Sequence, residues 1–307
     1  VLLNIPNIQQ AMSVFVAEEL SEVLNTKVVI GRINMGLLNR IIIDDVLLDD
    51  QSGQEMLKVT RLSAKFDIMP FFKGKISISS VQLFGFNINL RKETPDSPPN
   101  FKFVLDAFAS KDTVKKENSL DLRINSILIR RGRMSYHVLS EEETPGKFNA
   151  KHIQLQNIIA NISLKALSKD SLNLGIKRLS LDEKASGFSL KKMSLKLVAN
   201  NKQTNIDNFT IELPETSLKL DTIHLEYDSL KAFDRFTEQV HFSFRTLPSQ
   251  VTLKDISPFV PILSHFKEPV TLDMEVKGTV DQLTCSHLEI TADDRQFRLR
   301  GDVSLQD

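Results

Sequence analysis

From Lys27 to the end, apolar and polar residues alternate with a period of two, in runs rich in Ile, Val, Leu and Phe. This predicts β-strand for most of the chain. The alternation carries a recurrent defect. In the stretch DIMPFFKGKISISSVQLFGFNINL, residues 67–90, Ile76 and Ile78 are two apart, as are Val81 and Leu83, yet the pairs fall out of phase at Ser79-Ser80. The same two-three-two spacing returns as Ile41-Ile43-Val46-Leu48, Leu122-Ile124-Ile127-Ile129, Ile153-Leu155-Ile158-Ala160 and Leu174-Ile176-Leu179-Leu181. It returns again as Phe188-Leu190-Met193-Leu195, Leu218-Leu220-Ile223-Leu225 and Leu283-Cys285-Leu288-Ile290. A helix would scatter these side chains around its cylinder. In a flat strand the odd step sends the second pair to the opposite face. A β-bulge returns both pairs to one face and adds bend and twist. Bulges repeated on neighbouring strands would curl a sheet around one apolar side. The copies are irregularly spaced, which excludes a solenoid of fixed period.

One segment departs from period two. Ile8, Ala11, Met12, Phe15, Val16, Leu20, Val23 and Leu24 recur at three- and four-residue steps and predict an amphipathic helix after Pro6, with Asn7 as its cap. Its polar face carries Glu18, Glu19 and Glu22, which disfavours anionic lipid. Asn25 and Thr26 end it. Two shorter helices are predicted. One is Phe101–Ala109, after the breaker run Thr94-Pro95-Asp96-Ser97-Pro98-Pro99. The other is Ser257–Phe266, with Pro258 at its first position. The predicted organisation is an N-terminal helix over residues 1–26 and one continuous β-groove over 27–307. The predicted fold is mainly β: a long, curved, strongly twisted antiparallel sheet forming a taco-like groove with short capping helices. Phe15 and Val16 should face the sheet from the first helix, and Phe259 and Phe266 from the last.

Composition narrows the function classes. Across 307 residues, 41% are hydrophobic and 25% charged, so a packed core is expected and global disorder is not. Lys+Arg and Asp+Glu are 39 each, and zero formal charge argues against a nucleic-acid partner. Arg130-Arg131-Gly132-Arg133 reads as a solvated hairpin end. The one cysteine, Cys285, lies on an apolar phase and reads as a small buried hydrophobe. No apolar run is long enough for a transmembrane helix. The chain begins abruptly at Val1-Leu2-Leu3 and reads as a piece of something longer, with any anchor removed.

Catalytic patterns are missing. None of His137, His152, His224, His241, His265 and His287 forms a metal-spaced pair with another, so no metal or other cofactor is expected. Nucleophile-elbow and phosphate-loop motifs are absent. Asp49-Asp50-Gln51-Ser52-Gly53-Gln54-Glu55 has a faint calcium-loop flavour but lacks the ligand alternation and distal Glu, and reads as a hairpin end. Asn161-Ile162-Ser163 matches a glycosylation sequon inside a predicted strand.

The stretch Asp67-Ile68-Met69-Pro70-Phe71-Phe72-Lys73-Gly74-Lys75-Ile76, running into Val81-Gln82-Leu83-Phe84-Gly85, resembles a motif of the AsmA-like superfamily. The preceding order of amphipathic helix, Lys27–Ile33 and Ile41–Val46 is similar too. Pro248–Pro261, Val276–Leu283 and Leu299–Val303 resemble the N-terminal region of the TamB-type (translocation and assembly module) branch of that superfamily. The resemblance spans most of the chain. It implies a periplasmic, inner-membrane-anchored, non-enzymatic protein of a diderm bacterium that conducts phospholipid along an apolar β-groove during outer-membrane biogenesis.

On that reading, acyl chains lie against Ile76, Ile78, Val81, Leu83, Leu122, Ile124, Phe188, Leu190, Leu218 and Leu220. The alternative is a scaffold for outer-membrane protein assembly or secretion that pairs client or partner strands at a sheet edge. An outer-membrane barrel is disfavoured by two Tyr and no Trp.

Overall fold

The computed structural model describes the backbone of residues 6–36, 39–66, 76–109, 120–167, 171–292 and 298–306, and the side chains of 9–36, 39–65, 79–107, 125–165 and 171–292. The fold is mainly β, a large mixed sheet with a few short helices. The chain divides into two compact units. The first is Val1–Ile159 with Asp182–Ser186, and the second Ala160–Leu181 with Gly187–Asp307.

The first unit runs α1 (Pro6–Leu24), β1 (Val28–Gly36), β2 (Arg40–Asp49), β3 (Glu55–Phe66), β4 (Ile76–Lys92), α2 (Lys102–Ala109) and β5 (Leu120–Val138). Strand β6 (His152–Leu167) passes from it into the second unit, and β7 (Ser171–Glu183) runs back to it. α1 ends as a Schellman turn. Asn25 takes a left-handed φ of 49°, its N–H reaches the Glu22 carbonyl, and the Thr26 N–H reaches that of Ser21. β1, β2, β3 and β4 pair antiparallel in order. β4 and β5 pair parallel, a departure from the all-antiparallel expectation. A parallel neighbour needs a crossover. The breaker run after Lys92 and α2 lie on that crossover.

The buried core of this unit is Leu24, Val28, Ile30, Ile33, Leu48 and Met56. Met12, Val16, Ala17 and Leu20 of α1 pack on it from one side, with Phe101, Phe103, Val104 and Ala107 at α2. α1 therefore covers the sheet with Met12, Val16, Leu20 and Leu24 of the expected stripe, but rotated so that Phe15 turns outward while Ala17 turns in. Phe15 is 62% exposed, with Val14 and Val23 also outside. Ser13, Ala17 and Ser21, four residues apart, form a narrow strip toward the sheet. Ser13 and Ser21 satisfy their hydroxyls on the carbonyls of Gln9 and Ala17, at 2.8 and 2.6 Å. Ser21 also accepts the Val28 N–H at 3.0 Å. Small residues let the helix close on β1, where a phenylalanine would hold it off. Leu24→Ala should cost about 3 kcal/mol of stability, and Phe15→Ser less than about 0.5 kcal/mol, as read by urea unfolding.

The phase slip has a structural cause that is not a row of independent bulges. Across β1 to β5 the paired columns are Val28–Leu48–Leu57–Ile88–Met134 and Ile30–Val46–Val59–Phe86, then Ile33–Ile43–Leu62–Leu83–Ile129 and Met35–Ile41–Ala64–Val81–Ile127. The slip lies between the second and third columns, and pairing resumes beyond it in unchanged register. Each of these five strands carries its extra residue at the same level, so at that level no strand sets two residues against one. At this level Asp45, Gly85 and Arg131 have φ of 56°, 65° and 55°. The same two-three-two spacing recurs at this level in Val28-Ile30-Ile33-Met35, Leu57-Val59-Leu62-Ala64 and Val81-Leu83-Phe86-Ile88.

Other copies behave differently. Ser79 is unmatched between the pairs Lys65–Ser80 and Phe66–Ile78, which is a bulge. The offset of β4 to β5 also changes there, between Ile78–Leu122 and Ser80–Ser126. In β6, Asn157 has φ 55°.

The second unit continues with β8 (Ser189–Asn200), β9 (Gln203–Glu212), β10 (Ser217–Leu220), β11 (Ile223–Glu226), α3 (Phe236–Gln239), β12 (His241–Arg245), β13 (Ser249–Val251), β14 (Val270–Gly278), β15 (Gln282–Ala292) and β16 (Arg298–Gln306). β15 bulges between Cys285 and Leu288, as its spacing predicts. Cys285 is buried and its thiol reaches the His287 carbonyl. In the copy spanning residues 188–195 the register shift falls at Ser194/Lys196, opposite Asn208 with φ 54°. In the copy from Leu218 to Leu225 the slip becomes a break between β10 and β11.

Tyr227, Ala232 and Val240 form a small core beneath the turns at 230–239. There Tyr227 donates its hydroxyl to the Asn200 carbonyl at 2.7 Å.

No α-helix forms over Ser257–Phe266. Instead there are single 3-10 turns at Leu253–Ile256 and Pro261–His265. Pro261 sits inside the predicted helix, where it lacks an N–H and its ring clashes with the carbonyl four residues back. Phe259 and Phe266 are 46% and 54% exposed, so neither points into a core as expected.

Candidate functional site

The aligned slip gives the sheet of the first unit two unlike faces. One carries the four apolar columns. Near α1 and α2 these side chains are buried, whereas Ile41, Ile43, Val46, Leu62, Val81, Leu83, Ile127 and Ile129 remain only half-buried. The other face is more polar, although Val29, Ile42, Leu47 and Leu128 also lie on it. Arg32, Asp44, Arg61, Phe84 and Arg130 follow one another across the five strands. Arg61 holds Asp44 through two hydrogen bonds, at 2.6 and 3.3 Å, and Arg131 stacks 5.0 Å above the Phe84 ring. Lys58, Asn87 and Arg133 form a further polar column.

The expected lining residues separate on this map. Val81 and Leu83 sit side by side on the apolar face, opposite Ala64 and Leu62 on β3 and Ile127 and Ile129 on β5. Ile76 and Ile78 belong to β4 and Leu122 and Ile124 to β5, with Ile78 paired to Leu122, and their side chains lie outside the described residues. The stretch PFFKGK, residues 70–75, lies outside them as well.

In the second unit, Leu218 is half-buried in the column Met193–Ile211–Leu218. Phe188, just before β8, is half-buried and meets Phe259 edge-on with centroids 5.0 Å apart. Leu190 and Leu220 are buried, at 9% and 7% exposure. Those two are core residues here, closed off by protein, and not open lining.

Two buried carboxylates serve hairpin ends. Asp50 caps the β2–β3 turn, where Ser52 donates its N–H at 3.0 Å and hydroxyl at 2.7 Å, Gln54 its N–H at 3.1 Å, and Arg91 and Asn100 their side chains at 2.7 and 3.2 Å. The stretch with the calcium-loop flavour is therefore a turn organised around its own aspartate. Glu183 accepts N–H groups from Gln154, Ala185 and Ser186 at 3.0, 3.2 and 2.7 Å. For each, burial pushes the carboxyl up, but the donors outweigh it, and the net position lies below the ordinary value.

One constellation escapes sequence spacing altogether. His137 and His152, fifteen residues apart, meet at the ends of β5 and β6 with their Nδ1 atoms 3.0 Å apart.

No protein-family model matches the chain, and no curated protein matches it. Among the described residues no helix is long and apolar enough to cross a membrane.

Proposed function

We propose that this chain is a non-enzymatic lipid-binding segment of an AsmA-like protein of the TamB type, acting in the periplasm and anchored in the inner membrane. The apolar face of its sheet is the surface against which phospholipid acyl chains lie on their way between the inner and outer membranes. One observation carries the reading: apolar columns run in register across five strands, with Val81, Leu83, Ile127 and Ile129 left half-buried. A sheet face of this kind gains about 0.8 kcal/mol for each methylene it takes out of water. The opposite face, with Arg61, Asp44 and Arg133, stays wetted and keeps the sheet soluble on that side.

Leu83→Lys tests the reading. It places a charge on the apolar face, while Phe84→Lys places one on the polar face of the same strand. With a fluorescent phospholipid, the first substitution should weaken binding at least about tenfold, equivalent to roughly 1.4 kcal/mol. The second should leave binding within about twofold. Equal effects from the two, with both proteins folded by circular dichroism, would remove the apolar face from the account.

A second reading also has support. Among the described strands β1 pairs with β2 alone and β16 with β15 alone, and an edge of this kind suits a client or partner strand in outer-membrane protein assembly. Crosslinks from β16 to protein, without lipid crosslinks from Leu83, would favour it.

A further inference from the structure

We propose that His137, Glu143 and His152 form a binding site for a divalent first-row transition ion, with zinc as the probe. The three residues come from the end of β5, the connecting loop and the start of β6, and one ligand atom from each lies within 4.8 Å of the others. His152 is 7% exposed, and its Nε2 lies 2.9 Å from the Glu141 carbonyl. That carbonyl can only accept, so Nε2 carries the proton and Nδ1 presents its lone pair. Orientation of a ligating imidazole by a backbone carbonyl on its other nitrogen is the usual outer-shell arrangement of histidine metal sites.

The lone pair of His152 Nδ1 faces His137 Nδ1 at 3.0 Å, with the rings tilted by 51°. Bonds of about 2.0–2.1 Å at a tetrahedral ion set two ligand atoms about 3.3 Å apart, so a few tenths of an ångström separate the pair from ligation. Without an ion, a single proton bridges the two nitrogens. An ion replaces that proton, His137 then carries its proton on Nε2 instead of Nδ1, and the ion accepts both Nδ1 lone pairs.

Glu143 supplies the third ligand. Its Oε1 is 4.0 Å from His137 Nδ1, and its side chain is 63% exposed, free to close the remaining gap. A cavity of about 210 Å³ lined by Glu143, Asn149, His152 and Lys184 opens beside it and leaves a fourth position to water. Two imidazoles and a carboxylate without thiolate suit Zn²⁺, Cu²⁺ or Ni²⁺, and not the oxygen-seeking Ca²⁺ or Mg²⁺. The ion would clip the two strand ends across the loop 139–151. The nearby cation Lys151 is engaged elsewhere, 2.6 Å from Glu141.

The test uses the whole chain, a chromophoric chelator competing for Zn²⁺, and the variants Glu143→Gln, at an exposed position, and His137→Asn, at a half-buried one. The wild type should bind one equivalent and gain melting temperature on zinc addition. Glu143→Gln should weaken binding at least about tenfold, with metal-free melting unchanged, and His137→Asn should abolish it, with metal-free melting lowered by loss of the hydrogen bond to the buried His152. Zinc binding that is equally strong in both variants would move the ion to other histidines, such as the exposed His224–Glu226 or His287–Asp273 pairs, and overturn the proposal. Absence of binding by the wild type would overturn it too, leaving the two histidines a hydrogen-bonded pair.

Discussion

Asp50→Ala is expected to cost about 3–5 kcal/mol of folding stability at pH 7. The Asp50 side chain is 3% exposed and its ion partner Arg91 19%. Removing the carboxylate strands the Arg91 guanidinium, the Asn100 amide and the N–H groups of Ser52 and Gln54, which converge on it. Buried donors left without an acceptor bear their full desolvation cost. The loss also reaches beyond the turn. Asn100 ties the start of the α2 segment to β4, donating to the Asn89 carbonyl and accepting the Arg91 N–H.

The surface pair Arg61–Asp44, with Arg61 56% exposed, provides the contrast. Asp44→Ala should cost less than about 1 kcal/mol. The pH dependence has a fixed sign. Because the Asp50 carboxyl sits below its ordinary value, its contribution is complete above the unfolded value near 3.9 and is lost as pH falls through the folded value. Urea unfolding should therefore show a constant gap between wild type and Asp50→Ala from pH 7 to 5, narrowing only below about pH 4.

Gly132→Val should cost about 3 kcal/mol, at the upper end of overpacking penalties. A Cβ at Gly132 would lie 2.4 Å from Cζ of Phe86 and 3.0 Å from Cβ of Ile158. Phe86 is 7% exposed, so its ring has little room to withdraw. The ring fills the space that the glycine leaves, on the neighbouring strand and on the apolar face. The coupling has a direct check. Phe86→Leu alone should destabilise by truncation, whereas Gly132→Ala combined with Phe86→Leu should be less damaging than the sum of the two. Additivity in that cycle would separate the two residues.

Much of the fold follows from local pattern. The β content, α1 and its stop at Asn25, the helix near Lys102 and the burial of Cys285 all come from periodicity and turn chemistry that neighbouring residues set among themselves. The rest depends on register. Ser79 and Asp45 look alike in sequence, each at an odd step between apolar pairs. Only the partner strands decide that the first is a bulge and the second part of an aligned row.

The rotation of α1 escaped for a related reason. Two apolar stripes overlap on that helix, and the small side chains of Ser13 and Ser21 decided which one meets the sheet. At Pro261 the local rule outweighs the apolar spacing, since a proline four residues into a helix removes an N–H and clashes with the preceding turn. Of the expected lining, Val81, Leu83 and Leu218 stay half-buried, whereas Leu190 and Leu220 close into cores, a difference that depends on what folds above each strand. The His137–His152 meeting depends on the β5–β6 turn, and no spacing rule for metal ligands reaches across fifteen residues of hairpin.

The central claim is that the half-buried apolar face takes up phospholipid. Its most direct test is site-specific photocrosslinking in cells, with the photoreactive residue at Leu83 or Ile129 on the apolar face and at Phe84 or Arg130 on the polar face, followed by mass spectrometry of the membrane-extracted protein. The account predicts phospholipid adducts at Leu83 and Ile129 and none at Phe84 and Arg130. Lipid adducts at neither pair, or equally at both, would contradict it.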